Sequence, residues 1–374
     1  MKYFIVVGEP SGDLHGGNLM RGLQAEDSEA QFRFWGGDKM AEVGGAENLA
    51  KHYRETSFFG IAQVLRNLKT IFGQIDECKR DIEAYNPDVL ILIDYPSFNM
   101  RIAKWAKERG IKVYYYIAPK VWAWKEWRVK EIRKYVNRLY TIFPFETEYF
   151  RSKGIEPIFC GNPLCDAIAQ YKQHMPSREE FLNECELDKR PIVALLAGSR
   201  RSEIKDNLAD MVAISQNFPE YQFVVTAVPW IERGLYDNAL QNTSVKYLCN
   251  KTYDTLFYAD AAIVTSGTAT LETALIGTPE IVMYHVPKVY EWARPLVLKI
   301  PYISLVNINL NRECVREIVV NKIDVDAVSA ELSAILKGGS KREKMLAEFA
   351  ELQELMGGEG SSLRVAQDIV KSLR

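Results

Sequence analysis

The chain is expected to be an α/β protein: two Rossmann-like, doubly wound domains facing across a cleft. Three observations lead there. Short apolar runs alternate with helical stretches, which is the pattern of a parallel sheet covered on both faces. The alternation restarts after a polar connector near the middle of the chain. At 374 residues the sequence is also too long for one ordinary core and suits two domains of comparable size.

Taken in order, Lys2-Tyr3-Phe4-Ile5-Val6-Val7-Gly8 is too short for a signal peptide and lacks a cleavage site, so it reads as a first strand. Phe32 to Trp35, Val89 to Ile93, Val113 to Ile117, Leu139 to Ile142 and Pro157 to Phe159 follow as strands, with helices such as Ala62 to Tyr85 and Met100 to Arg109 between them. Asp166 to Arg190 is polar and helix-prone, and reads as the connector. Strands resume at Ile192 to Leu196, Phe223 to Val228, Val245 to Leu248, Ala261 to Val264 and Glu280 to Tyr284. The tail from Ser340 holds a charged helix and a flexible break at Gly357-Gly358-Glu359-Gly360. Beyond the break, Leu363, Ala366, Ile369, Val370 and Leu373 share one helical face, which needs a partner surface on the first half or on a second subunit; a homodimer is one way to supply it. The expected organisation is residues 1–165, residues 166–356 and a terminal helix over 357–374.

A hydrophobic fraction of 47% with 26% charged residues describes a soluble globular chain, and a formal charge of −2 argues against a surface built for nucleic acid. No apolar run reaches the roughly 18 residues of a spanning helix. The six cysteines and four histidines are scattered, with neither a zinc spacing nor a disulfide framework, so no metal or cofactor is expected.

The centre of the chemistry is placed at Ser266-Gly267-Thr268, between a buried strand and a helix over Thr268 to Ile276. Small residues at a helix start leave backbone NH groups free at the positive end of the dipole, an anion site, and Glu272 one turn later is within reach of a ribose. An ordinary helix start is the other reading. In the first half, Gly8-Glu9-Pro10-Ser11-Gly12-Asp13 follows the first strand. Its glycine spacing is wrong for a dinucleotide and its acids would repel phosphate, so Glu9, Ser11, Gly12 and Asp13 suit sugar hydroxyls; a turn with an acid near a helix start is the alternative. Asp94, at the end of Val89 to Ile93, stands at the same sheet edge as a candidate general base, or else as a structural acid.

Ala118 to Arg128, with the following Lys130, Arg133, Lys134 and Arg138, combines Trp122, Trp124 and Trp127 with Lys125, Arg128 and further basic residues, a mixture that suits a membrane surface or lipid phosphate, with nucleic acid as a rival and a solvated helix with buried indoles as the plain reading. Gly198-Ser199-Arg200 is a second turn before a helix, its arginine able to neutralise a diphosphate, or simply a surface residue. Ser304 to Glu313, rich in asparagine, reads as a loop.

Together these motifs resemble the lipid-A-disaccharide synthase family, glycosyltransferases of the two-Rossmann GT-B class. The resemblance rests on Gly8 to Asp13, Ile93 to Asn99, Val121 to Trp124, Gly198 to Arg200, Ser266 to Glu272 and Ser304 to Asn307, six motifs in register over nearly the whole chain. It implies transfer from UDP-2,3-diacylglucosamine to 2,3-diacylglucosamine 1-phosphate (lipid X), forming a β-1,6 disaccharide and releasing UDP, by a protein peripheral on the cytoplasmic side of the inner membrane. It also implies an essential aspartate at Asp94, an important arginine at Arg200, an asparagine at Asn307 and a nucleotide-side glutamate at Glu272. Gln63, Lys120, Ala197 and Val306 depart from the family pattern, and the first two bear on acceptor binding. The rivals are a UDP-N-acetylglucosamine 2-epimerase, a lipid glycosyltransferase of the peptidoglycan type and a non-catalytic nucleotide- or lipid-binding protein.

Overall fold

The computed structural model describes residues 1–56, 68–122, 126–286 and 302–374. The chain divides into two compact units, Met1–Asp166 with Met356–Arg374, and Ala167–Leu355.

The first unit is built on a parallel seven-stranded sheet. Its strands are β1 (Lys2–Val6), β2 (Gln31–Gly36), β3 (Leu49–His52), β4 (Val89–Ile93), β5 (Val113–Tyr116), β6 (Arg138–Thr141) and β7 (Ile158–Phe159), in the order β3-β2-β1-β4-β5-β6-β7. Strict alternation sorts their side chains onto two faces. Phe4, Val6, Leu90, Leu92 and Tyr115 join Ile75, Ile82, Ile102 and Ile132 in one core. Tyr3, Ile5, Ile91, Ile93 and Tyr116 join Leu19, Leu23 and Met40 in the other. A sheet buried on both sides explains why these strands read as continuous apolar runs.

The second unit holds a parallel six-stranded sheet in the order β10-β9-β8-β11-β12-β13. Its strands are β8 (Ile192–Leu196), β9 (Gln222–Ala227), β10 (Lys246–Cys249), β11 (Ala259–Thr265), β12 (Glu280–His285) and β13 (Arg316–Val320). Sequence patterning missed β3 and β13. Both are edge strands whose residues are mostly half-buried, so neither carries an unbroken apolar run.

In each sheet the strand order reverses once, between β1 and β4 and between β8 and β11. Loops leaving the carboxyl ends of two strands diverge at such a point and open a crevice there. Strand order thus puts the Gly8-Glu9 and Asp94 segments at one reversal and the Gly198 and Ser266 turns at the other.

The helix-prone stretch from Asp166 to Arg190 is helical as expected, covered by the helices Pro163–His174 and Arg178–Glu184. Two further expectations change. Ser304 to Glu313 is not a loop: Ser304 caps a short helix, Leu305–Leu310, by accepting from the Asn307 NH at 3.2 Å, and Asn311 ends it in the left-handed conformation. The glycine break at 357–360 is pinned. Asp166, buried beneath it, accepts from the NH groups of Gly360, Ser361 and Ser362 at 2.6, 3.2 and 2.8 Å, which satisfies the start of the final helix, Ser361–Leu373. Arg364 donates to the carbonyls of Gly357, Glu359 and Cys160. The helix lays Val365, Ala366, Ile369 and Val370 into the core of the first unit of its own chain.

Candidate active site

In the first unit the site is organised around Asp94, where β4 ends. Asp94 and Tyr95 both have left-handed backbones, φ 44° and 47°. Asp tolerates that conformation; Tyr rarely adopts it, so the surroundings must impose it. The Asp94 carbonyl accepts from Asn99 Nδ2 at 2.8 Å and from the Tyr115 hydroxyl at 2.5 Å. Asn99 also reaches the Ile93 carbonyl at 3.2 Å, stapling the turn to its strand. The Tyr95 ring then lies where a Cβ on Gly8 would stand, 2.3 Å away, so only glycine fits at the end of β1. Pro96 begins the following helix, where its missing NH costs nothing.

This leaves the Asp94 carboxyl largely desolvated beside Glu9, and its pKa is pushed up to about 6, with Lys120 opposing the rise. A carboxylate of that basicity at a strand end can take a proton near neutral pH. Glu9 is half-buried and accepts from the Ser11 hydroxyl at 2.7 Å.

Asp13 does not join this group. It is 3% exposed, and its two oxygens accept from the NH groups of Gly37, Lys39 and Met40 at 2.8 to 3.1 Å, capping the helix Asp38–Gly44. Gly12 lies in the first turn of the helix Pro10–Glu26, and a Cβ there would press on Val7 at 3.1 Å. Gly16 and Gly17 allow the same helix to approach Met40 and the Lys39 carbonyl. The glycine cluster therefore serves packing, and of the four residues expected at this loop Glu9 and Ser11 remain available to a ligand.

Trp122 is half-buried, its indole NH donating to Glu146 at 3.0 Å and its ring edge-on to Phe145. Glu146 is fully buried, which pushes its pKa up to about 7, and it also accepts from the Ile142 and Phe143 NH groups. Arg128, expected to face a membrane, is buried and donates to Ser97 Oγ at 3.3 Å. Trp127 does present itself, at 57% exposed. Trp124, Lys125 and Gln63 lie outside the described residues.

The second unit contributes two turns at its strand reversal. At the end of β8, Gly198 has φ +113°, and a Cβ there would collide with Glu203 at 2.5 Å. Glu203 Oε2 accepts from the NH groups of Ser199 and Arg200 at 3.0 and 3.2 Å, and its other oxygen pairs with the Arg200 guanidinium at 2.7 Å. The turn's NH groups are thus occupied by a carboxylate three residues on, the capping-box spacing. What it offers a ligand is the Ser199 hydroxyl and the Arg200 guanidinium, whose side chain is 77% exposed.

The β11 turn differs. Gly267 precedes the helix Thr268–Ile276 and supplies no side-chain cap, while Gly267 and Thr268 are exposed, so this helix start is the one open to an anion. Ser266 is fixed by donating to the Ile303 carbonyl at 3.1 Å. Glu272 accepts from the Tyr253 hydroxyl at 2.7 Å, and burial raises its pKa.

Asn307, expected to bind the donor, is fully buried and committed. Its Nδ2 donates to the Val315 carbonyl and to Glu317, and its Oδ1 accepts from the Cys314 and Val315 NH groups, all at 2.8 to 3.0 Å. Glu317 in turn accepts from the Ile303 and Ser304 NH groups. Asn307 therefore fastens, through Glu317, the Ile303 segment to which Ser266 is bonded. Asn307→Ala is expected to leave several buried groups unpaired, lowering stability by about 2–4 kcal/mol and raising the KM for donor more than it lowers kcat. A thermal melt with donor saturation kinetics checks this.

Glu203, Tyr253, Glu317, Asn99 and Glu146 were not singled out from the sequence. Only Glu203, by its spacing, and Asn99, inside the Asp94 motif, left a local signal.

The family model described as lipid-A-disaccharide synthetase matches residues 3–367. The lipid-A-disaccharide synthase of Geobacter sulfurreducens is 34% identical over 380 residues, covering 100% of this chain and 97% of its own. That of Myxococcus xanthus is 32% identical over 379 residues, with the same coverage. Among solved structures, the UDP-N-acetylglucosamine 2-epimerase of Rickettsia bellii superposes with a TM-score of 0.65 at 12% identity, covering 100% of this chain and 96% of its own. The Neisseria meningitidis UDP-GlcNAc 2-epimerase bound to UDP-GlcNAc gives 0.63 at 13%, covering 100% and 99%. At such identity the epimerases share the fold alone, whereas the synthases match in sequence from end to end. The chain belongs to the lipid-A-disaccharide synthase family, and with it to the glycosyltransferases.

Proposed function

We propose that this protein joins UDP-2,3-diacylglucosamine to 2,3-diacylglucosamine 1-phosphate (lipid X), forming the β-1,6 disaccharide 1-phosphate and releasing UDP. The observation that carries the reading is Asp94, a desolvated carboxylate with a pKa of about 6 held at a strand reversal by an imposed backbone turn. Asp94 takes the proton from the acceptor 6-hydroxyl as that oxygen bonds to the donor anomeric carbon and the bond to UDP breaks, inverting the centre. The diphosphate gains negative charge as it leaves, and the exposed Arg200 guanidinium with the uncapped NH groups at Gly267 and Thr268 stabilises it. Ser199 and Ser266 add hydroxyls, and Glu272 accepts from the ribose. Glu9 and Ser11 hold acceptor hydroxyls.

Among the described residues no helix is long and apolar enough to cross a membrane. Peripheral attachment is carried by Trp127, with the exposed Lys130 and Lys134 meeting anionic headgroups. The Arg128 guanidinium lies 5.6 Å from the centre of the Trp127 ring, while Trp122 is held by Glu146 and Phe145.

The test is UDP release by purified protein from UDP-2,3-diacylglucosamine, with and without lipid X, with the disaccharide phosphate followed by mass spectrometry. Release and product should both require lipid X. Turnover of UDP-N-acetylglucosamine without acceptor would instead favour an epimerase.

A further inference from the structure

Arg128 is 8% exposed, and a guanidinium stays charged however deeply it is buried. A charge taken out of water ordinarily meets an opposite one. Among the described residues Arg128 has no carboxylate partner: its hydrogen bond goes to Ser97 Oγ at 3.3 Å, and the centre of the Trp127 ring lies 5.6 Å away. A hydroxyl and a ring do not neutralise it, and most of its five N–H donors remain unused.

The guanidinium points at the start of another helix. Ser97, exposed, stands in the first turn of Pro96–Glu108, whose N-terminal neighbour Tyr95 supplies no side-chain cap. Pro96 has no NH, and Phe98 and Asn99 donate to the Tyr95 carbonyl at 3.2 and 3.0 Å. Among the described residues the Ser97 NH has no acceptor, and it lies at the positive end of a helix of 13 residues. An open NH, a hydroxyl and an arginine fork converging at a helix start suit a phosphate. The fork takes two oxygens and Ser97 a third, which favours a phosphate monoester over a diester.

The same turn carries Asp94, three residues before Ser97, so their Cα atoms are at most about 11 Å apart. Burial pushes the Tyr115 phenol up; the Asp94 charge adds to the rise and the Arg128 charge opposes it. Both charges therefore lie about a hydroxyl that donates to the Asp94 carbonyl at 2.5 Å. In the proposed reaction the acceptor offers its 6-hydroxyl to Asp94 and carries a phosphate monoester at the opposite end of the same sugar ring. We propose that Arg128, Ser97 and the open start of the helix Pro96–Glu108 form the subsite for the acceptor's 1-phosphate. This deepens the acceptor side of the proposed function and rests on it.

The test is steady-state kinetics of the full chain in neutral detergent micelles, comparing lipid X with the same diacylglucosamine lacking its 1-phosphate. The wild type should prefer lipid X. Arg128→Gln should lower kcat/KM for lipid X about 10- to 100-fold, mainly through KM, and bring the two acceptors close to parity. Arg128→Lys, which keeps the charge without the fork, should recover part of the preference. Ser97→Ala, at an exposed position, should cost about 3- to 10-fold on lipid X, and it tests the site should Arg128→Gln fail to fold. Equal losses on both acceptors would overturn the subsite, since Arg128 would then only hold the Ser97 turn. An unchanged preference would also overturn it; weaker binding of Arg128→Gln to phosphatidylglycerol vesicles would then assign the guanidinium to bilayer headgroups. A wild type that uses either acceptor equally would overturn the subsite and leave the transferase standing, whereas one that forms no disaccharide from lipid X would overturn both.

Discussion

Replacing Asp94 by asparagine is expected to slow disaccharide formation by about 10²- to 10⁴-fold, the usual worth of a positioned general base, while UDP affinity is unchanged. Asparagine is the informative substitution because it keeps the size of the side chain and tolerates the left-handed backbone at this position. A fall in rate then reports lost basicity rather than a rearranged turn. The turns proposed to bind the donor lie in the other unit, so UDP affinity serves as the control for an intact donor site. The same assignment fixes a pH profile for the unmodified protein. Burial raises the Asp94 pKa to about 6, and the base works only when ionised, so kcat/KM should be fully developed above that value and fall tenfold per pH unit below it. Asp94→Asn should lose that limb. Full activity in Asp94→Asn, or a rate independent of pH between about 5 and 8, would remove Asp94 from the proton transfer.

Ending the chain at Met356 is expected to abolish a folded first unit. The final helix buries Val365, Ile369 and Val370 almost completely against β-strand residues such as Ile5 and Ile91. At about 1.5–3 kcal/mol each, these three side chains contribute roughly 5–9 kcal/mol, comparable with the whole stability of many domains. The cut also leaves Asp166 without the three NH groups it accepts from, and Asp368 without Arg138 and Tyr140. Insoluble or protease-sensitive protein is the expected outcome. Ile369→Ala gives the graded version, a loss of about 2–5 kcal/mol read as a lower melting temperature. A truncated chain that purifies and melts like the full one would show that the helix is dispensable.

Much of this was legible along the chain. The strands flanking the site carry unbroken apolar runs, and the helix over Thr268 to Ile276 has the ends expected of it. The placement of Asp94, Arg200 and Glu272 immediately after strands or at helix starts needed nothing beyond local pattern. Edge strands β3 and β13 escaped because half-burial leaves no continuous hydrophobic signal.

The chemistry of individual polar residues is a different matter. Asp13 and Asn307 stand in motifs as suggestive as that of Asp94, yet both are consumed by backbone partners, Asp13 by NH groups 24 to 27 positions away. Trp122 finds Glu146 at a separation of 24 and Glu272 finds Tyr253 at 19, pairings that no local pattern announces. By itself the sequence determined the element types, their order, the two-sheet class and the family, because periods of two and 3.6 residues and short motifs are local properties. Only the tertiary structure decided the strand order that puts the Asp94 and Ser266 turns at reversals, and which carboxylates and amides remain free there. Desolvation and hydrogen-bond satisfaction depend on neighbours brought in from distant parts of the chain.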